Sequence, residues 1–293
     1  MKVSVSSYSF ARYLKDGRLD FPGVVDKAAA MGFEGVEFSG IGVECDDPQA
    51  LPLARKLKAL CLERGLGVVS YTIGADFLQA PGGWRAEARR LEGELAVAAE
   101  MGAPRMRHDV TRGFPKDHQG PSDFAAALPT LTEACRAVTQ KAAALGVRTM
   151  FENHGFFAQD SDRCEALVRA VGHPNFGALV DIGNFLCADE EPAAAVTRMA
   201  PLAFHCHAKD FHVKPAWAAD PGKGWFRSRG GAYLRGAIVG HGNVDVPACL
   251  AALRAAGYDG FMSIEFEGME DNIVGLEIGL ANLRRYLAAG SGQ

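Results

Sequence analysis

Two patterns alternate along this chain. An Ala-, Leu- and Glu-rich stretch with helically spaced apolar positions ends at a glycine, and a short β-branched or aromatic run begins within a few residues. This occurs at Gly32 before FEGVEF, Gly65 before LGVVSY, Gly102 before APRMRHD, Gly146 before VRTMFE, Gly172 before HPNFGALVD and Gly257 before YDGFMSIE. A glycine there suits the residue just past a helix, where φ is positive and a Cβ would clash. Each instance predicts a helix-to-strand junction. The N-terminal VSVSSY and the run AFHCHAKD, which follows a helix stopped at Pro201, bring the predicted strands to eight.

Eight strands alternating with helices imply parallel pairing through right-handed crossovers, and eight such units close into a (β/α)8 barrel. The expected fold class is therefore α/β, a single-domain TIM barrel over residues 1–293. A doubly wound open sheet is the competitor, but the first strand runs into SSYSFARYLKDG without a GxGxxG phosphate loop. The longest non-periodic piece runs from His212 to Val244, after the seventh strand, and is rich in Gly, Trp and Arg. It reads as a functional loop over the C-terminal face.

Composition narrows the partners. Of 293 residues, 48% are hydrophobic, and 31 Lys+Arg against 35 Asp+Glu give a formal charge of −4. That balance offers no basic footprint for nucleic acid, and no apolar run spans a membrane. The N-terminus MKVSVSSYSF reads as a strand, not a signal peptide, so a cytoplasmic location is expected. Seven scattered cysteines without a CxxC fit neither a disulfide framework nor a zinc knuckle. A soluble protein acting on small molecules is the expectation.

In such barrels the chemistry sits where strands end on the C-terminal face. Strand five ends TMFENHG, six ALVDIGN, seven FHCHAKD and eight MSIEFEG. Glu152, Asp181, His207 and Glu265 would thus ring the mouth, three carboxylates and one imidazole converging on a point where a cation is needed to keep them ionised. An oxygen-rich set with one histidine suits a divalent ion, Mn2+ first, with Mg2+ or Co2+ as alternatives.

The segments ENHG, VDIGN, HCHAKD and SIEFE, with GHGNVDVPACLAALRAAGYDG before the last strand, resemble the xylose isomerase-like TIM barrels. The resemblance implies sugar isomerase, epimerase or dehydratase chemistry and assigns the same four residues as metal ligands. It also implies a homo-oligomer by analogy. A chelated ketone and its neighbouring hydroxyl acidify the C–H between them, giving proton transfer through a metal-stabilised enediolate. Glu152 and Glu265 are the expected catalytic pair for an isomerase or epimerase of a sugar or polyol. Expulsion of a β-substituent would instead make the enzyme a dehydratase or lyase. An endonuclease IV-like activity is disfavoured by Asn184, where that branch needs a histidine, and by the acidic charge. A non-catalytic sugar-binding protein is the other rival.

Substrate contacts are expected from His154, two residues beyond Glu152, from Lys209, two beyond His207, from Arg107 or His108 on the fourth strand, and from Asn184. His205 reads as a core histidine and Glu37 as a hydrogen-bonding residue of the mouth. Trp84, Phe156, Phe157, Trp217, Trp225 and Tyr233 are candidate stacking faces, and Arg227, Arg229 and Arg235 candidate anion contacts.

Overall fold

The six glycines read as helix stops all have positive φ, between 57° and 84°. In the computed structural model, which describes residues 1–289, a short strand follows each of them. In chain order the strands are β1 (Lys2–Ser6), β2 (Gly35–Ser39), β3 (Gly67–Ile73), β4 (Arg105–His108), β5 (Arg148–Glu152) and β6 (Phe176–Asp181). They continue with β7 (Ala203–Ala208), β8 (Asp210–Lys214), β9 (Phe226–Arg227), β10 (Tyr233–Ala237) and β11 (Phe261–Ile264). β1 to β7 and β11 close a parallel barrel of eight strands in the order β1-β11-β7-β6-β5-β4-β3-β2. The helices between them form the outer layer, several capped at their N-termini by aspartates such as Asp20, Asp123 and Asp160.

Alternation along the strands separates two environments. Val36, Phe38, Met106, Phe151, Val180, Cys206 and Ile264 face the helices and are almost wholly buried in the apolar core. The inward face is largely polar, with Met150 and Leu179 among its few apolar members, instead of the branched apolar filling usual in these barrels. Ser4 and Ser263 hydroxyls meet at 2.6 Å, and Glu37, His205 and His207 lie fully buried above them. Such burial is costly unless every group is paired, so this column points to chemistry above it.

The segment after the seventh barrel strand is not a bare loop. β8, β10 and β9 form a three-stranded antiparallel sheet over the barrel. Its root is Asp210, whose carboxylate accepts backbone N–H groups of Gly240, Gly242 and Val244 at 2.9, 2.8 and 3.0 Å. A Cβ at Gly242 would fall 2.2 Å from Asp210 Oδ1. The HCHAKD and GHGNVD motifs are therefore the two halves of one anchor. All seven cysteines are free thiols, six of them buried. Among the described residues no helix is long and apolar enough to cross a membrane.

Candidate metal centre and active site

Glu152 ends β5, Asp181 ends β6, His207 stands on β7 and Glu265 follows directly on β11, so four neighbouring barrel strands each aim one side chain at the same point. One ligand atom from each lies within 4.8 Å of all the others. His207 Nδ1 is 3.6 Å from Glu152 Oε1, 3.6 Å from Asp181 Oδ2 and 3.5 Å from Glu265 Oε2. These gaps are too long for hydrogen bonds, yet they suit donors gathered around one ion. Two of the atoms are buried without a hydrogen-bond partner, His207 Nδ1 and Asp181 Oδ2. Orphaned buried polar atoms are rare and call for an ion or water. The other oxygen of Asp181 accepts the N–H groups of Gly183 and Asn184 at 2.8 and 2.9 Å, which fixes Oδ2 toward the cluster. Three carboxylate oxygens and one imidazole nitrogen fit a divalent cation.

Behind the cluster, Glu37 sets the imidazole. His207 Nε2 lies 2.9 and 3.0 Å from the two oxygens of Glu37. An ionised carboxylate only accepts, so Nε2 carries a proton, and Nδ1 is the nitrogen left facing the cluster, where it offers a lone pair once its own proton is displaced. Glu37 also accepts from Thr72 Oγ1 at 3.0 Å and from His205 Nε2 at 2.6 Å. Burial pushes the Glu37 carboxyl up, but the His207 charge and the imidazole hydrogen bonds outweigh it and hold the group far below the usual range. Burial likewise opposes charge on His207, and the charges of Glu37 and Glu265 reverse that, raising it well above an ordinary imidazole.

Two cations flank the ligands. Arg107 Nη2 is 2.6 Å from Glu152 Oε2 and 2.7 Å from Asp109 Oδ1. Lys209 Nζ is 2.6 Å from Glu265 Oε2, 3.3 Å from Asp181 Oδ2 and 3.5 Å from Glu267 Oε1. Asn184 joins both halves, donating to Glu152 Oε1 at 3.0 Å and accepting from Lys209 at 3.2 Å. Burial raises the carboxyl of Glu265, but Lys209 and His207 bring it down to about 2. Glu152 is likewise held well below its ordinary value, with Arg107 the leading cause against burial. The carboxylates are thus not unpaired, as the sequence suggested, because the chain brings Arg107 and Lys209 to them.

Two cavities open beside the cluster. One, of about 290 Å³, is bounded by Glu152 and Glu265 together with Arg107, Arg112, Tyr8 and Thr72. The other, of about 300 Å³, lies under the β8–β10 sheet against Phe156, Phe211, Phe226, Gln159 and Asn184. His154, Lys209 and Glu267 line both, so the two cavities adjoin at these residues.

Comparison with known proteins agrees with this architecture. The family model described as xylose isomerase-like TIM barrel matches residues 25–286. The chain belongs to that family. Among curated proteins, this xylose isomerase-like barrel is similar to the rhizopine catabolism protein MocC of Rhizobium meliloti, 28% identical over 158 residues. That match takes in 52% of this chain and 47% of MocC, so it spans about half the length of its curated relative. Among solved structures, the probable 3-DHS dehydratase AsbF of Bacillus anthracis superposes with a TM-score of 0.72 at 18% identity, covering 96% of this chain and 99% of that one. The 3-keto-D-glucoside 4-epimerase YcjR of E. coli gives 0.71 at 18%, covering 97% and 99%. At these identities the likeness establishes the shared fold.

Eight of the nine metal-ligand and substrate-contact candidates meet in this xylose isomerase-like barrel. Glu152, Asp181, His207 and Glu265 form the cluster, and Arg107, Lys209, Asn184 and His154 surround it. His108 does not join them. It points outward from β4, its ring 5.6 Å from Phe77 and 6.2 Å from Phe176, with Nδ1 2.8 Å from the Asp109 carbonyl. Adjacent strand residues face opposite sides, so once Arg107 points inward His108 cannot. Of the six candidate stacking aromatics, Phe156 lines a cavity, whereas Phe157 packs against Phe114 and Phe124. Arg227, Arg229 and Arg235 are spent within the protein, on Tyr233 and Gly231, on Asp160 and Phe156, and beside Glu270. Tyr8, Arg112, Glu267 and Phe226 line the cavities without having been singled out. Glu267 was legible, since it lies two residues beyond Glu265 on the same face.

Proposed function

We propose that the protein is a divalent-metal-dependent isomerase or epimerase of a keto-sugar or keto-polyol, with Glu152, Asp181, His207 and Glu265 holding the cation, Mn2+ by first preference. The observation that carries this reading is the meeting of those four donors, two of them orphaned, between a pair of buried cations. A bound divalent cation supplies electrostatic stabilisation for negative charge that develops on substrate oxygens when a neighbouring C–H is deprotonated. Glu152 and Glu265 enter from opposite sides of the cluster, each ionised at neutral pH. One takes the substrate proton as base, and the proton returned to the opposite face comes from solvent through the other, which takes it up before passing it on. Arg107 and Lys209 keep the two carboxylates in place, and Lys209, with Asn184, reaches the substrate oxygens. Tyr8 and Thr72 close the polar wall of the cavity.

A second reading, elimination of a β-substituent by a dehydratase or lyase, is favoured by His154. Its Nδ1 lies 3.1 Å from Asp109 Oδ1, where the two cavities adjoin. Burial disfavours its charged form, but Asp109 and Glu152 outweigh this and raise it above the ordinary imidazole value. A protonated imidazole there can donate to a departing oxygen. The related dehydratase and epimerase named above belong to these two reaction classes.

The decisive experiment incubates Mn2+-loaded protein with a panel of ketoses and keto-inositols in D2O and follows exchange and product by NMR. Deuterium entering the carbon next to the carbonyl, lost in Glu152→Gln and Glu265→Gln proteins of unchanged fold, supports the proposal. Full exchange in either variant removes that residue from the proton transfer. Release of water or an alcohol identifies the eliminating reading.

A further inference from the structure

Glu152, Glu265, Arg107 and Lys209 line the polar cavity, and a second cavity of equal size adjoins it, sharing His154, Lys209 and Glu267 as walls. Each volume alone sits at the low end of small-molecule sites, about 300–1,000 Å³. Their linings differ in kind. The second has aromatic walls: Phe211, fully buried, meets Phe226 edge-on at 5.7 Å and 78°, and Phe226 remains 38% exposed. Phe156, which lines the same cavity, is 43% exposed and holds a backbone φ of 67°. A non-glycine residue in that region costs of order 1 kcal/mol or more and persists only where its surroundings enforce it. Here Gln159 accepts the Phe156 N–H and Arg229 donates to its carbonyl, while Gln159 donates in turn to the Asn184 carbonyl at 2.7 Å. Arg229 comes from the sheet above the barrel, so the covering sheet and the strand-five loop are tied together around this aromatic. Two exposed rings facing a cavity with a few polar edges suit the apolar face of a sugar ring, with hydrogen-bonding groups at its rim.

We infer that the second cavity is a subsite for another sugar ring, and that the natural substrate is a keto-sugar joined by a glycosidic bond to a second unit. This rests on the keto-sugar reading above and narrows it: the ketone-bearing unit lies at the metal ligands, the linkage passes His154 and Lys209, and the second unit stacks on Phe156 and Phe226. No bond to the second unit changes in the isomerase reading. In the eliminating reading, base-abstracted C–H electrons form a carbon–carbon double bond, and the glycosidic oxygen leaves with its electron pair and takes up a proton from solvent.

The test is isothermal titration of Mn2+-loaded protein with D-fructose and with its glycosylated forms maltulose and lactulose, repeated in Phe226→Ala and Phe156→Gly proteins. Glycine accepts the positive φ at that position, so the second variant removes the ring without new backbone strain. The expected result is that at least one glycosylfructose binds about tenfold or more tightly than fructose, and that this ratio falls toward one in either variant. Equal affinity for fructose and both disaccharides overturns the subsite, while fructose binding and deuterium exchange preserve the underlying reading. Failure of all three sugars to bind or exchange overturns both. A preference for disaccharide that survives unchanged in both variants also overturns the subsite.

Discussion

Replacing Glu37 by glutamine tests how the barrel prepares its fourth ligand. Glu37 does not touch the point where the donors converge. Its two oxygens instead hold two imidazoles, His205 at 2.6 Å and His207 at 2.9 Å, with Thr72 donating at 3.0 Å. All three contacts require an acceptor, and a carboxylate has one at each oxygen. A glutamine has one carbonyl and one NH2. Whichever imidazole faces the NH2 must turn its Nε2 into an acceptor and move its proton to Nδ1. For His207 that places an N–H where the ligand lone pair should be. Even in the favourable flip, the negative charge that makes His207 a better donor is gone.

Loss of such outer partners costs about 10–100-fold in metal affinity, equivalent to about 1.4–2.7 kcal/mol. The assay is Mn2+ titration followed by the EPR signal of free ion, on wild-type and Glu37→Gln protein. Because Glu37 also strengthens the competing proton on His207, the titration is run from neutral to alkaline pH, where competition fades. A variant that is equally stable and binds Mn2+ within twofold of wild type at every pH would refute the reasoning. Retained affinity for His205→Gln, combined with loss in Glu37→Gln, would assign the effect to His207 itself.

Other consequences are open to measurement. The metal-free site holds His207 protonated, so uptake of a divalent cation must expel a proton; affinity should rise with pH, and unbuffered protein should acidify on Mn2+ addition. His108 is held neutral by burial, its value lowered from 6.5 to about 4, so the unfolded chain binds the extra proton and stability falls as pH drops from about 6.5 to 4. That contribution is about 3 kcal/mol, and urea midpoints of a His108→Leu protein should show a flatter pH dependence than wild type over that window. Asp210→Asn replaces a carboxylate that accepts four backbone N–H groups, Phe211, Gly240, Gly242 and Val244. It should cost about 1–3 kcal/mol and speed hydrogen exchange across β8 and β10 before the barrel strands.

The barrel and its four-donor cluster were legible because both rest on short-range rules. A glycine past each helix marks the junction, and alternation with a period of two fixes which side chain faces inward at the strand's end. The same rule misleads where both phases are polar. In RMRH neither Arg107 nor His108 betrays the inward side, and the choice depends on how the neighbouring strands are staggered, which pairs Arg107 with Met150 and His108 with Phe151. The sheet over the barrel escaped notice for another reason. Its strands are only two to five residues long, and its anchor joins Asp210 to backbone amides some thirty positions later, a contact that no local pattern contains.

The charge balance of the mouth was also beyond a linear reading, and it changes what the ligands imply. Convergence of three carboxylates alone argues for a cation, but Arg107 and Lys209 already supply two, both buried to within a few per cent. The stronger argument is geometric. Lys209 pairs closely with Glu265, yet it leaves Asp181 Oδ2 at 3.3 Å without a hydrogen bond, and among the described residues no carboxylate oxygen reaches His207 Nδ1 closer than 3.5 Å. A protein that needed only internal ion pairs would gain by closing those gaps, since each buried unmade bond costs about 1–3 kcal/mol. The column of Ser4, Ser263, His205 and Glu37 beneath adds to the expense, filling with polar groups a space that branched apolar chains pack well. Both costs become intelligible together if the column exists to aim His207 Nδ1 and the gap exists to be filled.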